Sequence, residues 1–92
     1  MKKTLFSLGQ VVSTPGAIQA MVENHVGSID LLARHAFGDW GTMEDEDKAA
    51  NDQAVENDGR IFSSYPLPDG TVIWVITEWD RSATTFLLPE NY

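Results

Sequence analysis

The stretch RIFSSYPLPDGTVIWVITEWDRSATTFLL, residues 60–88, decides the fold. Three runs within it are rich in β-branched and aromatic side chains: Arg60 to Tyr65, Thr71 to Glu78 and Ala83 to Leu88. Such side chains fit a pleated, half-buried surface, so each run is predicted to be a strand. Pro68-Asp69-Gly70 supplies a hairpin turn, proline presetting its own φ and glycine entering the left-handed region freely. Trp79-Asp80-Arg81-Ser82 makes the second connection. In the middle run Val72, Trp74 and Ile76 occupy one face, Ile73 and Val75 the other. A strand apolar on both faces is central and covered twice, or covered once with an apolar patch left over.

Upstream of residue 60 the apolar period becomes helical. Met43 to Asp58 reads as a surface helix whose thin apolar stripe is Ala50 and Ala54, with Met43 and Val55 beside them. Thr42, with Asp45 three residues on, is a variant capping box, and Gly59 is the stop signal. Before it, Ser28 caps a helix in which Ile29, Leu32, Ala33 and Phe37 recur at helical spacing. Gly38 ends that helix in the left-handed conformation. Thr14-Pro15 opens a shorter helix, ending near Asn24, with Ile18, Met21 and Val22 on one face. Leu5 to Ser13, carrying Val11 and Val12, is a lone N-terminal strand. The expected fold class is α+β, with residues 1–92 as a single domain. Its parts are one N-terminal strand, three helices, then a three-stranded antiparallel meander, the helices packed on one face of the sheet.

Composition narrows the class. Hydrophobic residues make up 42% of 92, enough apolar surface to exclude a disordered chain. The absence of cysteine excludes disulfides, thiolate catalysis and thiolate zinc sites. The start, MKKTLFSLGQ, has an apolar run too short for a signal-peptide core or a membrane span. The expected location is cytoplasmic.

Charge is concentrated. Of a formal net charge of −8, residues 39–58 (DWGTMEDEDKAANDQAVEND) carry −7, eight acids against Lys48. A field this lopsided repels phosphates and anionic lipid and attracts basic surfaces. The bases Lys2, Lys3, Arg34, Lys48, Arg60 and Arg81 are scattered, so neither nucleic acid nor a membrane is an expected partner. The expected binding residues are Glu44, Asp45, Glu46, Asp47, Asp52 and Glu56, and the expected partner is a basic protein surface. No metal and no cofactor are expected. Counted as a calcium loop from Asp45, Glu56 reaches the twelfth position but Ala50 stands where the sixth-position glycine is needed.

Three blocks carry a resemblance: LFSLGQVVSTPGA (5–17), LLARHAFGDWG (31–41) and WVITEWDRSATTFLLPENY (74–92). Over nearly the whole chain they resemble a family of small bacterial proteins without assigned activity, labelled "plasmid-related protein" or "type I restriction endonuclease subunit M". The resemblance implies an association with mobile elements or restriction systems, and it brings no functional residues. The methyltransferase part of the label does not fit. A methylation subunit needs a glycine-rich turn opening a helix after a strand and an aromatic clamp for a flipped base. This chain has neither, and its PENY lies at residues 89–92, the end of the chain.

The remaining polar features each have an ordinary structural role beside any chemical one. His35 sits near a helix end, where the dipole favours a protonated imidazole; His25 lies in the preceding turn. Ser63, Ser64 or Ser82 with either histidine forms no recognisable nucleophile pattern, and fourteen acids make carboxylate pairs unavoidable. No enzymatic activity is expected. Glu78, Trp79, Asp80 and Arg81 form a charged, aromatic connection of the kind that binds partners. Its plainer reading is a turn in which Arg81 pairs with a neighbouring acid and Trp79 caps the sheet edge. Trp40, between Gly38 and Gly41, is expected in the core. Three functions follow: a non-enzymatic interaction module built on the acidic helix, a small-molecule binding or catalytic domain with its pocket near Trp74 and the 78–82 turn, or a domain whose acidity only keeps it dissolved. A homodimer formed through the sheet face beside Phe86 and Leu88 is a further expectation.

Overall fold

The computed structural model describes residues 3–92; Met1 and Lys2, the latter one of the scattered bases, lie outside the described residues. In chain order the elements are β1 (Gln10–Ser13), α1 (Pro15–Glu23), α2 (Ser28–Ala36), α3 (Asp45–Asn57), β2 (Ile61–Pro66), β3 (Val72–Thr77) and β4 (Ala83–Leu87). A short 3-10 turn, Pro89–Asn91, closes the chain. The class is α+β, with three helices and one four-stranded sheet among the described residues.

The sheet order is β1-β4-β3-β2, and the sheet is mixed. β2, β3 and β4 are antiparallel neighbours, whereas β1 lies parallel to β4. The expected meander thus gains a parallel edge strand from the other end of the chain. β1 is also shorter than the expected Leu5 to Ser13. Gly9, at φ 63°, turns the chain where a Cβ would stand 2.3 Å from the Arg81 carbonyl oxygen. Only glycine fits both the left-handed backbone and that close approach.

The helices pack through faces neighbouring the expected ones. In α1 the buried residues are Ala17, Ala20 and Met21, while Ile18 and Val22 are exposed. Both sets obey helical spacing, and the alanines let the helix come closer to the sheet. In α2 the buried set is Leu31, His35 and Ala36, with Ile29 and Phe37 outside. The larger core joins Ala17, Ala20, Met21 and Leu31 to Tyr65, Ile73, Val75 and Phe86. Phe86 is buried and Leu88 half-buried against that core, so the open sheet face expected beside them does not exist. A second cluster holds Phe6, Trp40, Ala54 and Ile61, placing Trp40 in the core.

α3 closes the β2 edge of the sheet. Its N-cap is Glu44 rather than Thr42, and no side chain caps it. Thr42 is engaged elsewhere, its N–H donating to the Ser64 carbonyl at 2.8 Å while the Ser64 N–H donates to the Trp40 carbonyl at 3.1 Å. At the far end Asp58, at φ 56°, takes the left-handed position expected of Gly59. The buried polar residue of α3 is Asn51, whose Nδ2 donates to the Phe62 carbonyl at 2.7 Å and whose Oδ1 accepts from the Phe62 N–H at 3.1 Å. One amide therefore satisfies both outward backbone groups of an edge-strand residue. Asn51→Ala removes both partners at once and is expected to lower stability by about 2 kcal/mol in urea unfolding, whereas Asp52→Asn on the exposed side costs less than ~1 kcal/mol.

No helix among the described residues is long and apolar enough to cross a membrane.

Candidate functional site

Each member of the acidic set, Glu44, Asp45, Glu46, Asp47, Asp52 and Glu56, is exposed on α3 or at its cap. Acids in the first turn meet the positive end of the helix dipole, which favours them there without any partner. Asp52 is partly committed, its Oδ1 accepting the Trp40 indole N–H at 3.1 Å. The other five make no ion pair and no side-chain hydrogen bond among the described residues. Those ion pairs join Arg34 to Asp39 at 2.7 Å and Arg60 to Glu78 at 3.6 Å. The Arg34 guanidinium holds the Asp39 carboxyl below the usual carboxylate range, so Asp39 is the one acid of residues 39–58 that is neutralised internally.

The first turn of α3 overlooks a cleft of about 490 Å³ on the sheet face away from α1 and α2. Thr42, Met43, Glu44, Asp47, Ala50 and Asn51 form one wall, and Phe62, Ser64, Trp74 and Arg60 the floor and far side. The alternation of β2 and β3 turns Phe62 and Trp74 to this face, opposite Ser63 and Val75. Their rings meet edge to face at 4.8 Å, and Trp74 meets Tyr92 at 5.8 Å. Arg60 is held at the border by the Tyr92 hydroxyl, 2.5 Å from its Nη1, and by Glu78. An aromatic floor with two unpaired carboxylates on its rim suits an organic cation: the ring faces attract it and the carboxylates receive its N–H donors.

The 78–82 turn answers differently. Arg81, at φ 60°, pairs with no acid among the described residues, contrary to the expected turn chemistry. Its Nη2 donates to the Ala54 carbonyl at 2.7 Å and its Nη1 to the Gly59 carbonyl at 2.6 Å, with Glu78 and Trp79 carbonyls at 3.2 and 3.4 Å. α3 has no basic residue in its own last turn, and Arg81 supplies that cation from a distant part of the chain. Asp80 accepts from the Ser82 N–H at 3.0 Å, and contacts with Ser82 hold its carboxyl below the ordinary range. Trp79 is 65% exposed and caps no edge. A hollow of only about 170 Å³ lies among Asp58, Trp79, Asp80 and Arg81, below the usual size of a ligand pocket. The two markers expected to share a small-molecule pocket, Trp74 and the 78–82 turn, line separate depressions.

His35 corrects a further expectation. It is fully buried between Ser63 Oγ, 2.6 Å from Nδ1, and Thr77 Oγ1, 2.9 Å from Nε2. Proton directions follow from the far end of the chain of bonds. The Thr84 hydroxyl donates to the Leu8 carbonyl at 2.7 Å, so across 2.7 Å the Thr77 hydroxyl donates to Thr84. Thr77 must then accept from Nε2–H, leaving Nδ1 to accept from Ser63. Burial without an opposite charge pushes the imidazole down to about 4, overriding the helix dipole that favoured protonation. Ser63 and His35 touch as a nucleophile and base would, but both are sealed from solvent, and the arrangement is a core brace. Helical spacing from Leu31 to His35 is the one sequence signal that would have placed this imidazole inward.

Among the described residues no three His, Asp or Glu side chains converge to hold a metal ion. Compared with protein-family models, with curated proteins and with solved structures, the chain matches none.

Proposed function

We propose that this chain is a non-enzymatic interaction module that takes a basic segment of another protein against the first turn of α3. The observation that carries the reading is the shared cleft: Glu44 and Asp47 on one wall, without partners, and Phe62 and Trp74 beneath. A lysine or arginine of the partner enters between them, while Asp45, Glu46 and Glu56 contribute to long-range attraction. The likeness of the three sequence blocks to plasmid- and restriction-labelled proteins favours a partner with a nucleic-acid channel, since such channels are basic and an acidic surface can occupy them. Cytoplasmic residence belongs to the same proposal.

Affinity purification with the chain as bait tests it. A partner held by this face is recovered at low salt and lost as the Debye length shortens, because exposed charges are screened beyond it. Replacing Glu44, Asp45, Glu46 and Asp47 by their amides abolishes recovery, and Trp74→Ala weakens it separately. Equal recovery at low and high salt, or from the amide variant, sinks the electrostatic reading and leaves acidity as a solubility device.

A small-molecule site is the second reading, favoured by the same cleft because its volume suits a ligand and its lining selects an organic cation. A large thermal shift with one amine or quaternary ammonium compound, absent in Trp74→Ala, would favour it over a protein partner.

A further inference from the structure

We propose that two copies of this chain pair through their β1 strands, extending the sheet across a two-fold axis and leaving the acidic helices at its outer ends. The two edges of the sheet are treated very differently. At β2, Asn51 and the Trp40–Thr42 backbone occupy the outward groups of Phe62 and Ser64. At β1, nothing comparable occurs among the described residues. The Gln10 N–H donates to Ser82 and the Thr14 N–H to Phe86, so residues 10, 12 and 14 turn toward β4. Alternation then directs the N–H and C=O of Val11 and Ser13 outward, a row of unpaired groups ready for another strand.

The ground beside that edge is apolar. A groove of about 370 Å³ runs between β1 and α1, lined by Val11, Val12, Ile18, Met21, Val22 and Val26 among others. Val11, Val12, Ile18 and Val22 are four of the nine large exposed hydrophobics among the described residues, gathered in one place. A cluster of this kind marks an interaction site rather than the ordinary scatter of surface carbons.

Charge selects the occupant. Residues 4–22, TLFSLGQVVSTPGAIQAMV, contain no ionisable side chain, in a chain whose net charge is −8. Two such chains meet with least repulsion through an uncharged surface remote from α3, and this edge is such a surface. The strand order puts β1 at one edge and α3, with its carboxylates, against the other, so pairing through β1 keeps the two acidic helices as far apart as the sheet allows. A highly basic partner would gain nothing at an uncharged edge, whereas a second copy brings the same neutral strand and the same apolar rim. A two-fold axis passing at Val12 sets Val11 opposite Ser13 of the second copy and Ser13 opposite its Val11, forming four backbone hydrogen bonds and bringing the two Val12 side chains together. This dimer leaves the cleft under α3 free and is independent of the function proposed above.

Sedimentation equilibrium on the full chain over a concentration series tests the proposal, with amide exchange at Val11 and Ser13 as the site-specific reading. The expected result is a monomer–dimer equilibrium that tightens severalfold as salt rises, because screening relieves repulsion between like-charged copies. Partner capture by the acidic face has the opposite salt dependence, so the two ideas fail separately. Ile18→Lys with Val22→Lys, both at exposed helix positions, should convert the sample to monomer with an unchanged circular dichroism spectrum, while Trp79→Ser leaves the dimer intact. The proposal is overturned by a chain that stays monomeric up to about 1 mM. It is equally overturned by a dimer that weakens with salt, that survives the double lysine variant, or that leaves Val11 and Ser13 unprotected.

Discussion

Urea midpoints measured from pH 7.5 to pH 4 will fall by an amount equivalent to about 3 kcal/mol from His35 alone, nearly all of it between pH 6.5 and pH 4. The unfolded chain carries an ordinary imidazole near 6.5, whereas burial holds the folded one at about 4. Below 6.5 the unfolded state therefore takes up a proton that the folded state refuses, and stability drops with falling pH. Well above 6.5 both states are neutral and the slope vanishes. The groups packed around the ring are Ser63, Thr77, Phe6 at 5.2 Å and Trp40 at 5.9 Å between ring centres, none of which carries a negative charge. His35→Gln tests the assignment: the variant is less stable at pH 7.5 but flat from pH 7 to pH 5, where carboxylates contribute little. A wild-type curve equally flat over that range would show that the imidazole charges freely in the folded state. Nitrogen shifts of the ring provide a second check, since the bond directions require hydrogen on Nε2 and a bare Nδ1.

Much of the architecture is legible locally because single residues impose it. Gly70, at φ 91°, with the Thr71 N–H donating to Asp69 Oδ1 at 2.9 Å, builds the turn that Pro68-Asp69-Gly70 announces. Thr14 accepts from the Ala17 N–H at 3.2 Å and Pro15 occupies the first turn of α1, as their order in sequence implies. Gly38, at φ 90°, ends α2. What was not legible depends on partners far along the chain. Whether Ala17 or Ile18 faces inward is undecidable from spacing alone, since both satisfy the period, and the sheet makes the choice. The place of β1 beside β4 pairs Gln10 with Ala83, a contact no local signal encodes. Nothing in the local sequence marks Asn51 within an acidic helix, and its purpose appears only when the edge of β2 lies opposite. Of the candidate sites, the acidic helix could be read directly from the sequence. The aromatic floor that gives two of its carboxylates a cleft could not, because Phe62 and Trp74 come from different strands.

Arg81 separates structure from recognition in the 78–82 turn, and Arg81→Met is expected to cost about 3 kcal/mol in urea unfolding at neutral pH. The side chain holds the Ala54 and Gly59 carbonyls at the C-terminal end of α3 and stands 5.6 Å from the Phe6 ring. Two short charge-assisted hydrogen bonds, a favourable position on the helix dipole and cover over the smaller core are lost together. Arg81→Lys should recover less than half of the loss, because a single ammonium cannot span two carbonyls that the planar guanidinium bridges. Arg81→Gly relieves the left-handed backbone at φ 60° and is still expected to destabilise, an outcome that would assign the effect to the guanidinium rather than to the turn geometry. Trp79→Ala, two residues away and 65% exposed, should change stability by less than about 0.5 kcal/mol. The contrast decides what this connection is for. If Arg81→Met is silent while partner capture is lost, the turn is a recognition loop and its arginine a contact residue. If stability falls as expected and Trp79→Ala leaves both stability and capture unchanged, the turn is a clasp: it ties β3–β4 to the far end of the acidic helix and so fixes the angle at which the first turn of α3 stands over its cleft.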